Sequence, residues 1–191
     1  MARQPRIARL DRAAIAAEEH ANVLADIAHI SNRLDRLGRA GLIADKAEVE
    51  AHQLRPRRDA IALSLWAHDE VRAVDRIVGL ARTRFYDLRM IAVGDIGVKA
   101  DGTSWTDAEL RAFARPKVER IAKAKAKIVA AADRVARAEA RATAAREVRD
   151  KIVAELLAEG WDRVSISVRI GRNPSRISHI KRRIAEHAEV A

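Results

Sequence analysis

The chain has 191 residues, and 37 Lys and Arg against 27 Asp and Glu give it a net charge of +10. It contains no cysteine, which excludes a disulfide scaffold, a thiol nucleophile and a cysteine-ligated zinc site. Aromatic residues make up only 3% and glycine and proline are few, so the composition excludes a typical β-sandwich or barrel and favours an all-α fold.

The first predicted helix carries a heptad pattern. Apolar residues recur at alternating spacings of three and four from Leu10 to Leu37, which predicts one helix with an apolar stripe. Gly38 and Gly41 are expected to end it. A short helix is expected to run from Asp45 to the residue before Pro56, because a glutamate follows Asp45 at the capping-box spacing.

The middle of the chain predicts a linker, a short helix and then a long one. Residues 94–105 lack helical periodicity and are rich in glycine, which indicates a linker. Thr106 and Glu109 form a capping-box pattern that opens a short helix, and Pro116 breaks it. A long helix is then predicted from Lys117 to Leu157, about 60 Å in length. Its heptad stripe needs a cover, which is either the N-terminal stripe of the same chain or a second copy of the protein.

Two segments of the chain, each of about 36 residues, resemble one another. Each begins with an Arg-Asp pair, at Arg58 in the first segment and at Arg149 in the second. With one inserted residue, Gly79 of the first segment matches Gly171 of the second. Apolar residues recur at matching distances before and after each glycine, which indicates a duplicated unit of three helices.

The physics of the repeat predicts a helix pair joined by a tight turn. The first helix of each pair is expected to end at the glycine, which adopts the left-handed conformation, and the next helix begins two or three residues later. In the second copy Asn173 suits the N-cap and Pro174 the first helical position. This pattern resembles the trihelical helix-turn-helix of DNA-binding proteins, as in resolvase C-terminal domains and sigma-factor region 4. The resemblance covers 58–93 and 149–187.

The resemblance implies an all-α chain in which two trihelical helix-turn-helix modules are joined by long coiled-coil-like helices. The expected segments are a basic flexible arm (1–9), an N-terminal helical or coiled-coil segment (10–57), the first module (58–93), a linker and short helix (94–116), a long Ala-rich helix (117–148) and the second module (149–191).

The resemblance also implies which residues contact DNA, because the second helix of this motif enters the major groove and presents its N-terminal residues to base edges. These residues are Arg172, Asn173, Ser175, Arg176, Ser178, His179 and Arg182 in the second copy, and Arg82, Thr83, Arg84, Tyr86 and Arg89 in the first. The stretch 163–183 contains seven basic residues and no acid, which is typical of a surface that contacts phosphates.

Sequence motifs of catalysis are missing from the chain. It has no Walker loop, no nucleophile elbow and no dinucleotide fingerprint, and no histidine pair has the spacing of a zinc site. The sequence therefore predicts no enzyme, no catalytic residue, no metal and no cofactor. No apolar run approaches the roughly 20 residues that cross a bilayer, so we expect no membrane partner and a cytoplasmic, nucleoid-associated location.

The expected function is sequence-specific binding of double-stranded DNA by a transcriptional regulator or repressor. The basic excess agrees with a polyanionic partner, although a GC-rich genome, which favours Ala and Arg codons, produces the same bias. A structural DNA-bridging or phage DNA-packaging recognition protein is one alternative, and a coiled-coil interaction adaptor is another. Binding as a monomer and binding as a homodimer through the heptad helices both remain open.

Overall fold

The computed structural model describes residues 9–71, 73–97, 99–170, 175, 177–180 and 182. These residues contain helices and no strand, which confirms the predicted all-α class. The helices are α1 (Arg12–Ala28), α2 (Arg33–Ala67), α3 (Val74–Val78), α4 (Arg82–Val93), α5 (Asp107–Ala114), α6 (Ala124–Ala158) and α7 (Arg163–Arg169). Residues 175, 177–180 and 182 are also helical. The predicted basic arm lies outside the described residues apart from Arg9.

The chain folds as two compact units, each assembled from separate stretches of sequence. The first unit contains the described residues of Met1–Asp11 and Ala51–Ala136, and the second contains Arg12–Glu50 and the described residues of Arg137–Ala191. The predicted segments followed the chain in order, whereas each unit of the structure combines one half of α2 with one half of α6. This division is possible because α2 and α6 bury apolar residues in both of their halves, and each half contributes to the core of one unit.

The N-terminal stripe forms two helices instead of the single one predicted. α1 ends at Ala28, and α2 begins at Arg33. The side-chain oxygen of Asn32 accepts hydrogen bonds from the backbone N–H groups of Leu34 at 2.8 Å and Asp35 at 3.2 Å. An asparagine in this place satisfies N–H groups that have no partner inside the helix, so it fixes the start of α2.

The prediction that Gly38 and Gly41 end a helix, and that a short helix stops before Pro56, is wrong. All three residues lie inside α2, which is continuous over 35 residues. A helical glycine costs about 1 kcal/mol and an interior proline about 3 kcal/mol. Leu37 and Ala40 beside the glycines are both fully buried. Burial of the apolar face of α2 outweighs these local penalties.

The second long helix begins later than predicted. α6 starts at Ala124 and not at Lys117, because the chain from 115 to 123 forms turns and Lys123 takes a positive φ of 58°. The apolar stripe of α6 is confirmed, since Ile128, Val135 and Leu156 are all buried within their units. The stripes of both long helices are therefore covered inside the same chain.

In the second unit, α1 buries one charged residue together with its aliphatic stripe. Glu19 is 1% exposed, beside the buried residues Ile15 and Val23 of the same helix. Its carboxylate accepts a 2.8 Å hydrogen bond from Nε of Arg141 and lies 3.4 Å from Nη1 of Arg137. The hydrogen bond that Arg141 donates to Glu19 raises the pKa of its guanidinium above the ordinary value. Two arginines thus compensate for the loss of water around this carboxylate.

In the first unit, α5 begins with the predicted capping box. The backbone N–H of Glu109 donates to the hydroxyl of Thr106 at 3.3 Å, and the Glu109 carboxylate accepts the backbone N–H of Thr106 at 2.7 Å. Lys99 Nζ lies 2.8 Å from both carboxylate oxygens and 4.8 Å from the centre of the Trp105 ring. Hydrogen bonds from Lys99 and Thr106 to the Glu109 carboxylate therefore hold the linker against the start of α5.

A glycine inside a helix and a glycine beyond the end of a helix predict opposite effects of alanine. At Gly38 an added Cβ meets nothing within 4 Å, so Gly38→Ala is expected to raise the free energy of unfolding by about 0.5–1 kcal/mol. Gly94 has a φ of +76°, so Gly94→Ala is expected to lower it by about 1–2 kcal/mol. Urea titration of both variants measures the difference, and a destabilised Gly38→Ala would contradict the helical packing described for α2.

The capping carboxylate predicts a pH dependence of stability. Hydrogen bonds from Lys99, and then from Thr106, lower the pKa of Glu109 from 4.5 to about 2. The stabilisation is complete above the unfolded-state pKa and is lost as the pH falls from about 4.5 toward 2. We expect the Tm of the wild type to fall more steeply across that range than the Tm of Glu109→Gln. Parallel curves for the two proteins would show that the Glu109 contacts do not contribute.

Candidate nucleic-acid interface

The first predicted module corresponds to the end of α2 followed by α3 and α4. The C-terminal part of α2 supplies the first of the three helices expected in this module, so that helix is not a separate one. α3 ends at Gly79, whose φ of 63° and ψ of 33° are left-handed. The N–H groups of Gly79 and Leu80 both donate to the carbonyl oxygen of Asp75, the latter at 2.9 Å. The glycine therefore reverses the chain between the two short helices, as predicted.

α4 divides its residues between the core and solvent within its first turns. Phe85 is 5% exposed and packs in the core of the first unit. Arg82, Thr83 and Arg84 are exposed, and Tyr86 is 54% exposed. The first turn contains no acid. Four of the five residues predicted in this copy thus lie at the exposed N-terminal part of one helix.

The fifth predicted residue, Arg89, takes a different environment. Its guanidinium donates to a carboxylate oxygen of Asp107 and stacks on the Trp66 ring at 4.6 Å from the ring centre. The Arg89 side chain is only 20% exposed. Arg89 lies one turn beyond Tyr86 and two turns beyond Arg82, where α5 packs against α4 and supplies the acid.

A cavity of about 620 Å³ opens beside α4 in the first unit. Its walls come from α3, α4 and α5, and the floor includes Trp66 and Phe85. Arg76, an exposed residue of α3, shares this cavity with Arg82 of α4. The sequence pattern did not single out Arg76, because the helix-turn-helix resemblance assigns DNA contacts to the second helix of each pair and Arg76 lies in the first.

The second copy follows the end of α6 in the same way. Asp162 caps α7 by accepting the N–H groups of Val164 and Ser165, each at 2.9 Å. Its pKa is lowered by the hydrogen bond from the Ser165 side chain and then by the backbone N–H groups. Ile166, on the buried side of α7, is fully buried.

The C-terminal helical residues show the same division between core and surface. Ile177 and Ile180 are buried in the core of the second unit, whereas Ser175, His179 and Arg182 are exposed. The predicted residues Arg172, Asn173 and Arg176 lie outside the described residues. Ser178 is half-buried and accepts a 3.0 Å hydrogen bond from Nη1 of Arg163, and Arg182 lies 3.1 Å from Nδ1 of His179.

The duplication extends beyond the predicted segments into both long helices. α6 has the same 35-residue length as α2, and its bounds lie 91 positions later, from 33 to 124 and from 67 to 158. Each helix carries a buried Arg-Asp pair at matching positions. Nη2 of Arg58 donates to Asp59 at 2.7 Å, and Nη2 of Arg149 donates to Asp150 at 2.9 Å. The repeated element is thus a long helix with the same buried ion pair, followed by two shorter helical segments.

The described residues also bear on metal ligation and membrane insertion. Among them, no group of three or more His, Asp or Glu side chains is placed to hold a metal ion. No helix in the described part of the chain has the length and apolar character needed to span a membrane.

Comparison of the chain with protein-family models, with curated proteins and with solved structures finds no match in any of the three.

Proposed function

We propose that the protein binds double-stranded DNA sequence-specifically and acts as a transcriptional regulator, with α4 and the C-terminal helical residues as its two reading elements. The observation that carries this proposal is the exposed N-terminal part of α4. It presents Arg82, Thr83, Arg84 and Tyr86 to solvent while Phe85 holds the helix in the core. Residues at this end of a recognition helix reach base edges in the major groove.

The electrostatics of α4 support the same function. The N-terminal end of a helix carries a partial positive charge from its unpaired N–H groups, and the first turn adds arginines and no acid. Phosphate oxygens are stabilised in such a place. Arginine donates two parallel hydrogen bonds to guanine, and Tyr86 offers both a ring and a hydroxyl group.

The repetition supplies the second line of support. In each unit the C-terminal part of a long helix is followed by a short helix and by a further helical segment with buried isoleucines or phenylalanine, and this last segment has exposed polar residues. A single exposed arginine is ordinary on a protein surface. The recurrence of the arrangement in both units favours a role that uses two similar helices.

Selection of binding sites from a random DNA pool tests the proposal. The wild type is expected to enrich one motif. Arg84→Ala should weaken binding to that motif by about 1–3 kcal/mol and relax the base preference at one position. Arg39→Ala, an exposed arginine of α2 that is not on a proposed reading element, serves as the control and should change binding by less than about 0.5 kcal/mol. Equal affinity for every sequence in the pool would contradict specific recognition.

A DNA-bridging role is the second candidate, and the presence of one helix pair in each unit favours it. A bridging protein holds two duplexes at once and needs no common motif. Pull-down of a labelled duplex by an immobilised unlabelled duplex, in the presence of the protein, distinguishes the two roles. Recovery of the labelled duplex without motif enrichment would support bridging.

A further inference from the structure

A small cleft with a basic rim lies in the first unit, away from α3 and α4. It has a volume of about 180 Å³ and is formed by one face of α2 and one face of α6. We call it the basic cleft and define it by the residues Leu54, Arg57, Ile61, Ala126, Lys127, Ala130, Ala131 and Arg134. Small-molecule sites usually measure about 300–1,000 Å³, so this cleft suits a group of only a few atoms.

The charges of the basic cleft are all of one sign. Arg57, Lys127 and Arg134 are exposed, and none of the eight described residues that line the cleft is acidic. Some other cations of the first unit have an acid beside them, as Arg111 has Asp69 and Asp107. Three like charges around one small cleft repel each other, and an anion between them removes that repulsion.

Two positions of the basic cleft have buried counterparts in the second unit. Moving by 91 positions, Arg57 of α2 corresponds to Val148 of α6, and Arg134 of α6 corresponds to Ile43 of α2. Val148 is 7% exposed and Ile43 is 8% exposed. Both belong to a core cluster that includes Val23 of α1. In the second unit these two positions are therefore apolar and buried, whereas in the first unit exposed arginines occupy them; Lys127 corresponds to Arg36, which is also basic.

We propose that the basic cleft binds a phosphate group. The apolar floor and the alanines of α6 leave room for the group, and the three cations donate charge-assisted hydrogen bonds to its oxygens. The phosphate comes from one of two sources, the backbone of DNA or a small phosphorylated molecule. Binding of a DNA phosphate rests on the proposed function, whereas binding of a small phosphorylated molecule does not.

The test compares two charge reversals at exposed lysines of the chain's second long helix. Lys127→Glu changes a residue of the basic cleft, and Lys125→Glu changes an exposed lysine of α6 outside it. The two variants have the same net charge, so only a local site separates them. Both residues are exposed, and an unchanged Tm verifies that each variant folds.

In the DNA arm, binding to the selected duplex and to a scrambled duplex is measured against salt. Loss of one phosphate contact near 0.15 M salt is expected to weaken binding by Lys127→Glu about fivefold relative to Lys125→Glu, equally for both duplexes. The salt slope is expected to fall by about 1. Arg84→Ala, in contrast, should affect only the selected duplex.

In the small-molecule arm, inorganic phosphate is titrated at constant ionic strength while the Tm is recorded. A rise in Tm for the wild type and Lys125→Glu, but not for Lys127→Glu, supports the cleft even when no DNA is bound, and then only the proposed function fails. Equal behaviour of the two variants in both arms overturns the cleft, and motif enrichment in that case leaves the proposed function standing.

Discussion

The contact between α2 and α6 is the constraint on which the rest of this fold depends. In each unit one half of α2 packs against one half of α6, and alanines line the contact, among them Ala40 and Ala145 in the second unit and Ala62 and Ala132 in the first. Alanine allows two helices to approach closely and loses no side-chain entropy on burial. The buried contact keeps α2 helical through two glycines and a proline.

The contact between α2 and α6 has different surroundings in the two units, because different helices complete the core of each unit. In the second unit α1 adds Val23 and the buried Glu19, so the face is closed by a third helix. In the first unit α5 packs against α4 instead, and its Asp107 binds Arg89. The two units thus share a similar arrangement of long helices, but the second unit buries two apolar residues where the first unit has the arginines of the basic cleft.

Much of the local structure could be predicted from the sequence because its causes are local. The capping box at Thr106 depends on residues three apart, and the turn at Gly79 depends on a residue that tolerates a positive φ. The stripe of α6 depends on a regular period. Predictions failed where a distant partner decided the outcome. The sequence pattern did not identify Glu19 as a core residue, but two arginines of α6 bind its carboxylate in the core.

Composition, spacing and turn chemistry act over a few residues, so they were enough to predict that the chain is helical, that Gly79 takes a left-handed conformation and that the residues at the start of α4 are polar. Packing between helices, in contrast, places Gly38 within a helix and turns Arg89 toward Trp66 and Asp107 while Arg84 stays exposed. It also brought Arg57 and Lys127 to one cleft. These outcomes depend on which helices pack together, and packing between residues far apart in the chain leaves no local pattern.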